Sequence, residues 1–332
     1  MSKKIASISI SGEITLNLHS LNNEGGEGNQ IITRQLSVID KEGVQHTVNG
    51  ISGDMFKHIH AAHLVNHASE GKLALSSYSK LNNPNRISAK NDLEPYFEKT
   101  KKKNKSSADV VDAVINICSV CDLHGILITD KVGDNPNSTN TPRKSCIEYG
   151  WTVGIPEKNN TESYIHTKLV PNAGEKGSGT SSNEGQNIFH RPANHGAYAF
   201  ICNIDAYRIG FNDMSRTYAF DEKDVDTKRK SRYKATIQSL ISSIINPRGA
   251  MTSAQKPHIT DFKGVVTYTT SLTPAPTISA INPDYKGEIK EITKNLNILE
   301  EGTIHAEEFK SISGLIALLT KLAGFEPYKI TQ

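Results

Sequence analysis

The sequence predicts an α+β fold in which an antiparallel sheet is backed by helices. Three observations carry that expectation. Residues 6–18 alternate strictly, with Ala6, Ile8, Ile10, Ile14, Leu16 and Leu18 on one side and Ser7, Ser9, Ser11, Glu13, Thr15 and Asn17 on the other. A period of two sustained over that length is a strand with one face in the core. Residues 197–209 alternate again, with Tyr198, Phe200, Cys202 and Ile204 together. The order of elements is strand, strand, helix, insertion, helix, three strands, helix, strand and two closing helices, and few of these connections suit a parallel βαβ series.

In the first strand Gly12 is expected to mark a bulge or bend. The loop at 22–29, NNEGGEGN, is polar and Gly-rich. A short strand at 36–40 turns at Lys41-Glu42-Gly43, and 44–48 runs extended into Ile51-Ser52-Gly53. Ser52 caps a helix over 53–69, Asp54 suits its positive end, and Gly71 stops it. Phe56, Ile59, His63 and Leu64 or Val65 make its inner stripe. Residues 72–107, rich in Ser, Asn and Lys, read as a partly helical insertion. A helix over 107–118 turns Val111, Val114, Ile115 and Cys118 inward, and a buried strand follows at 125–129. Residues 131–145 and 156–187 are long polar stretches of loop character, and such loops inside a compact domain are usually functional or disordered. Between them 147–155 reads as a strand. The basic segment 228–234 leads into a helix through Ile237, Leu240, Ile241 and Ile244 that Pro247 ends. A strand at 264–271 precedes helices at 288–299, striped by Ile289, Ile292, Leu296 and Leu299, and at 309–323, striped by Phe309, Ile312, Leu315, Ile316, Leu319 and Leu322.

Composition bounds the function. The chain has 332 residues, 38 Lys+Arg against 35 Asp+Glu and a formal charge of +3, so any case for nucleic acid rests on where the charges sit. No apolar run reaches the ~18 residues of a membrane span, and the N-terminus lacks the apolar stretch of a secretory signal. Four cysteines make no disulfide framework, which suits a reducing, cytoplasmic setting.

No nucleophile elbow, Walker A loop or dinucleotide fingerprint is present. His63 and His67 have metal-ligand spacing, but the Glu of HExxH is missing and two histidines do not close a shell. Cys118-x-x-Cys121 followed by His124 resembles half a zinc site without a second pair, and buried thiols explain it better. No metal and no cofactor are therefore expected. The start of the 53–69 helix, with Lys57, His58 and His60 nearby, is a natural phosphate site. Arg34 follows the flexible loop, His190-Arg191 precedes the alternating strand, 228–234 packs five cations into seven residues, and Arg248, Lys256 and His258 bracket another polar loop. Together they suggest recognition of a phosphodiester chain by its backbone, with Phe189 and Tyr233 the best-placed aromatics for stacking.

Several strings, taken in order, resemble a known family. They are Ile8-Ser9-Ile10-Ser11-Gly12 through Leu18, Gly28-Asn29-Gln30 to Arg34, Ile51-Ser52-Gly53-Asp54-Met55-Phe56-Lys57-His58, Cys121-Asp122-Leu123-His124-Gly125, Trp151-Thr152-Val153-Gly154-Ile155-Pro156, residues 184–190 and Gly196-Ala197-Tyr198. The chain is similar in them to the DevR-type backbone subunits of CRISPR type I Cascade complexes, a branch of the RAMP superfamily. The resemblance implies a modified RRM-like or ferredoxin-like antiparallel palm (residues 1–71, 108–155 and 188–332), a helical insertion or fingers (72–107) and a thumb loop (156–187). It implies copies stacked along CRISPR RNA, with other Cascade subunits as partners and target DNA reached through the guide. On this reading Asn29, Gln30, Arg34, Ser52, Gly53 and Lys57 match the RNA-contacting palm. His58, His60, His190, Arg191, Arg248, Lys256 and His258 complete the candidate contacts, and none is catalytic. Two alternatives stand beside it. One is a metal-dependent endoribonuclease of the type III backbone kind, its loop carboxylates being Glu24 and Glu27. The other is a DNA-binding autoregulator.

Overall fold

In the computed structural model, residues 3–22, 25–27, 30–101, 106–132, 140–169, 186–249 and 251–331 are described. The main elements in chain order are β1 (Ser7–His19), β2 (Gln35–Ile39), β3 (Gln45–Ile51), α1 (Gly53–Glu70), α2 (Glu94–Thr100), α3 (Ser107–Ile117), α4 (Ser119–His124), β4 (Ile126–Ile128), β5 (Thr141–Arg143) and β6 (Ile147–Tyr149). They continue as β7 (Thr152–Leu169), β8 (Gln186–Asp205), α5 (Val225–Ile245), β9 (His258–Thr269), α6 (Tyr285–Leu299), β10 (Ile304–Phe309) and α7 (Ile312–Ala323). The principal sheet runs β10-β9-β1-β8-β7-β3-β2 with every neighbour antiparallel. Within it β1, α1, β6 and β7, β8, α5 and β9 form a βαββαβ unit with spatial strand order fourth, first, third, second. That is the ferredoxin-like arrangement expected of the palm.

The β1 alternation places Ile8, Ile10, Ile14 and Leu16 in the main core, against Phe56, Ile59 and Leu64 of α1 and Ile237, Leu240 and Ile244 of α5. Its serine face is covered as well. Segment 271–282 lies over it, and the Ser7 and Ser11 hydroxyls accept from the Ala275 and Ile278 backbone N–H groups while Ser9 donates to the Ala275 carbonyl. Hydroxyls on a strand thus satisfy a segment that has no ladder of its own. Gly12 makes no bulge. The register runs through it unbroken, and a Cβ there would stand 2.7 Å from the Phe262 ring. On the opposite side of the sheet, Tyr285 and Ile289 of α6 cover Ala199 and Val265.

The structure redraws several other expectations. Residues 156–169 and 186–187 are strand, so β7 and β8 form a long hairpin whose arm, 159–169 against 186–196, leaves the palm beyond an irregularity between Gly154 and Asn159. The rest of the expected thumb, 170–185, lies outside the described residues. The insertion holds α2 and packs Ile87, Leu93 and Phe97 into the main core. Residues 126–128 are an edge strand with Leu127 exposed, and α4 and β10 are additional elements. Leu299 projects from the end of α6 rather than into its stripe.

The basic run of α5 differs most. Arg229 is 1% exposed and Arg232 is 3% exposed. Arg229 donates to the carbonyls of Ile209 and Tyr328. Arg232 meets Asp122, whose second oxygen takes Arg143, both at 2.7 Å. These two cations hold the fold together. Among the described residues no helix is long and apolar enough to cross a membrane.

Candidate nucleic-acid interface

The start of α1 is built as an anion-accepting end. Ser52 adopts extended backbone and its Oγ accepts from the Met55 N–H at 3.2 Å. Its own N–H donates to Asn22 Oδ1 at 3.2 Å, which fixes the entering chain. Gly53 is required by close approach, since a Cβ there would collide with the Tyr149 carbonyl oxygen. The first-turn N–H groups therefore stay near the surface with their partial positive charge. Beside them a depression of about 300 Å³ is bounded by Gly53, Lys57, Glu148 and Trp151. Lys57 is half-buried, and burial first, then the neighbouring Arg86 charge, hold its ammonium below the usual lysine range. An anion would relieve both penalties. Trp151 is 41% exposed, and the Arg34 guanidinium lies 5.1 Å from its ring centroid.

A second group of residues sits along the middle and outer part of the β7–β8 arm. The short strand Gln30–Ile31 runs parallel to β8 through the pair Gln30 and His190. Phe189 and His166 face each other across the arm with rings 5.6 Å apart and nearly parallel at 16°. Arg191, two residues along and so on the same side, lies 4.7 Å over the Phe189 ring. Its Nε has no hydrogen-bond partner among the described residues. The loop after α5 is tied to this strand by Gln255 Nε2, which donates to the Pro192 carbonyl at 3.1 Å. That loop and the strand it enters carry Arg248, Lys256 and His258, all exposed.

Segment 30–34 joins the two groups. Thr33 Oγ1 donates to Asn194 Oδ1 at 2.8 Å, so segment 30–34 bridges the arm and the start of α1. The candidate residues Gln30, Arg34, Ser52, Gly53, Lys57, His190, Arg191, Arg248, Lys256 and His258 thereby fall on linked elements. His58 is exposed on the outer side of α1.

His60 does not belong with them. It is fully buried, with Nδ1 2.7 Å from His124 Nε2 and Nε2 3.0 Å from the Thr236 carbonyl. The carbonyl can only accept, so His60 carries its proton on Nε2 and receives a hydrogen bond from His124. Burial pushes its pKa down to about 4. Tyr233 is likewise enclosed and donates to the Leu322 carbonyl, so it offers no stacking surface. Asn29 lies outside the described residues, as do Glu24 and the side chain of Glu27. His63 and His67, spaced like metal ligands, instead contact the Asn246 carbonyl and Ser242 Oγ at 2.9 Å each. The four cysteines are free and buried, and no group of three or more metal-ligating side chains is found among the described residues. Sequence reasoning missed Trp151 and His166. The only tryptophan of the chain, at a strand entry, was the available signal for the first.

A chain of a CRISPR RNA-guided surveillance complex, pre-nicking, superimposes with a TM-score of 0.50 at 8% identity, over 95% of this chain and 99% of its own. A chain of another CRISPR RNA-guided surveillance complex gives 0.44 at 9% identity over 96% and 98%. The crystal structure of Thermofilum pendens Csc2 gives 0.38 at 12% identity over 97% and 86%. The first of these likenesses supports the fold drawn above. A search of the curated proteins returned no match. The model of one family, described as CRISPR-associated negative auto-regulator DevR/Csa2, matches residues 10–290. That span takes in most of β1, both palm helices, the arm and β9, and the chain belongs to the CRISPR-associated DevR/Csa2 family.

Proposed function

We propose that this chain is a backbone subunit of a CRISPR type I effector complex and holds the spacer of CRISPR RNA by its phosphodiester backbone. Copies of it stack along the RNA as a helical filament, with other Cascade subunits at the ends. The guide's bases are left free to pair with target DNA. The observation that carries this reading is the linkage of the elements that bear Arg248 and Lys256, Arg191, Gln30 and Arg34, and Lys57 at the start of α1, with His190 on the other face of the ribbon from Arg191. Cations, backbone N–H groups and neutral amides set along one path suit phosphates and sugars, which give register and affinity without sequence information. Trp151 and the paired rings of Phe189 and His166 offer flat faces to individual bases, a contact that tolerates any base. The family membership and the surveillance-complex fold support the same reading.

The test is purification from cells that also express a CRISPR array and the neighbouring subunits. The 260/280 nm absorbance ratio is taken and the retained RNA sequenced. Retained CRISPR RNA of uniform length in large particles is the expected result. RNA-free monomers would overturn the reading. Cleavage of bound RNA that needs Mg²⁺ or Mn²⁺ and is lost in Glu24→Ala or Glu27→Ala would favour the endoribonuclease.

A further inference from the structure

Arg86 belongs to the insertion and is not among the residues read as RNA contacts. Its backbone has φ +55°, in the left-handed region that costs a side chain strain. Its carbonyl accepts from the hydroxyls of Ser76 and Ser79. Its guanidinium donates to the His124 and Gly125 carbonyls, at 3.3 and 2.7 Å. Those partners are neutral, so the cation is fixed in place with no ion pair among the described residues.

Across from it, on α1, are Lys57 and His58. Together with Asn82 and Asn83 they line a depression of about 190 Å³. Lys57 also borders the depression at Trp151, and Arg86 also borders a larger one of about 500 Å³ that ends at β4. The three are neighbours that share walls, so one trough runs from Trp151 past the start of α1 and on over the insertion. Lys57 and Arg86 repel each other across it and burial adds to the penalty on Lys57, while Asp54 on the same wall and Glu148 beside Trp151 offset only part of that penalty. A fixed arrangement of this kind gains when a divalent or monovalent oxyanion enters between the cations.

We propose that the Lys57–Arg86 trough binds a phosphate of a single-stranded nucleic acid, so that the strand leaving the start of α1 continues over the insertion. The proposal rests on the RNA-binding reading above and adds a second wall to that site. Single-stranded nucleic acid is favoured over an acidic protein segment because the trough is continuous with the exposed indole of Trp151, which suits a base.

The test uses the full chain and fluorescein-labelled oligouridine RNA, with affinity measured by anisotropy from 50 to 300 mM salt. Arg86→Gln removes the charge. Ala61→Glu, on the trough wall four residues after Lys57, supplies a competing carboxylate on a helix surface where Glu is well tolerated. Arg86→Gln is expected to flatten the slope of log Kd against log salt by about 0.7, the value for one phosphate on a single strand. Both variants are expected to weaken binding roughly five- to tenfold at 100 mM salt. Because Arg86 also braces two carbonyls, Ala61→Glu decides the matter if Arg86→Gln fails to fold. Wild-type affinity and slope in folded Ala61→Glu overturn the proposal. If the variants bind RNA normally but disturb self-association in sedimentation, the trough receives another copy of the chain and the proposal also falls. A wild-type chain that binds no RNA removes the underlying reading, which is a separate and recognisable failure.

Discussion

Asp122 is the buried anion on which two enclosed arginines depend, and replacing it by Asn separates structural charge from RNA-binding charge. The carboxylate is 0% exposed. Its two oxygens take Arg143 Nη2 and Arg232 Nη1, each at 2.7 Å, and the Gly210 N–H at 3.1 Å. An amide keeps one acceptor and turns an N–H₂ group toward the other guanidinium. Arg143 would retain Asp213 at 3.1 Å and the carbonyls of Phe211 and Arg208. Arg232 would be left over the Phe220 ring with no anion replacing the lost one. Breaking one partner from a buried pair costs about 3–5 kcal/mol, so Asp122→Asn should lose about 4 kcal/mol. That is a large part of a total in the range of about 5–15 kcal/mol. Urea unfolding, followed by circular dichroism and by fluorescence of the single tryptophan, measures it. Asp122→Asn with Arg232→Met should recover about 2 kcal/mol relative to Asp122→Asn alone, because the stranded charge is gone. A loss below about 1 kcal/mol, or a double variant worse than the sum of the singles, would refute the argument. The salt dependence of RNA binding should be the same in Arg232→Met as in wild type, and a flatter slope would mean that this arginine reaches phosphate after all.

Arg34→Ala and Arg191→Ala should each reduce the salt slope of RNA binding by about 0.7 and weaken binding to homopolymers of different base alike; a changed base preference would contradict backbone recognition. Stability should fall as pH drops from 6.5 towards 4. His60, held at about 4 when folded against 6.5 when unfolded, lets the unfolded chain take the proton first, which costs about 3 kcal/mol across that window. His19, pushed down to about 3 by burial, acts in the same sense. Urea midpoints at pH 7.5 and 5 read the effect, and equal midpoints would disprove it. Gly53→Ala should cost about 1–3 kcal/mol because the new Cβ meets the Tyr149 carbonyl, and its folded fraction should bind RNA more weakly. Thermal unfolding and RNA titration on one sample separate the two losses.

What the sequence disclosed follows from where each segment lies. β1 has a buried apolar face and alternates in the chain accordingly, and α1 carries the Ser52 cap that marked its start. The arm was opaque because both its faces meet solvent, so EKNNTESYIHTK shows no period of two. α4 has six residues, too few to develop a helical period, and β10 fell in the unassigned stretch between the two closing helices apart from Phe309, which was read as the start of the second. Positions 56, 59, 60, 63 and 64 are the i, i+3, i+4, i+7 and i+8 set of one helix face, so the burial of His60 was readable, and its chemistry drew it to the wrong place. Arg229 and Arg232 looked like solvated charge because their partners, Asp122 and the carbonyls near 207 and 328, come from distant parts of the chain. The Ser-capped start of α1 was legible from local rules alone. The joining of segment 30–34 to the arm through Asn194 required the tertiary structure.

The arm also sets how the molecule breathes. From Asn159 to Leu169 a ribbon rises about 3.3 Å per residue, a reach of roughly 35 Å, comparable to the width of a small domain. Beyond the Gln30 pairing at His190 and the ties at Pro192 and Asn194, this ribbon has only its own ladder among the described residues, and a two-stranded ribbon is marginal in water when nothing packs against it. Its amides should therefore exchange with solvent from the outer end inward, by local opening far cheaper than global unfolding, while the amides of β1 and β9 hold out to the last. Ile165 and Ile188 stand exposed on one side of this ribbon and Phe189 with Arg191 on the other, so any surface that closes on either side slows that exchange. The protection pattern of these few residues is a gauge, internal to the chain, of what the arm has grasped.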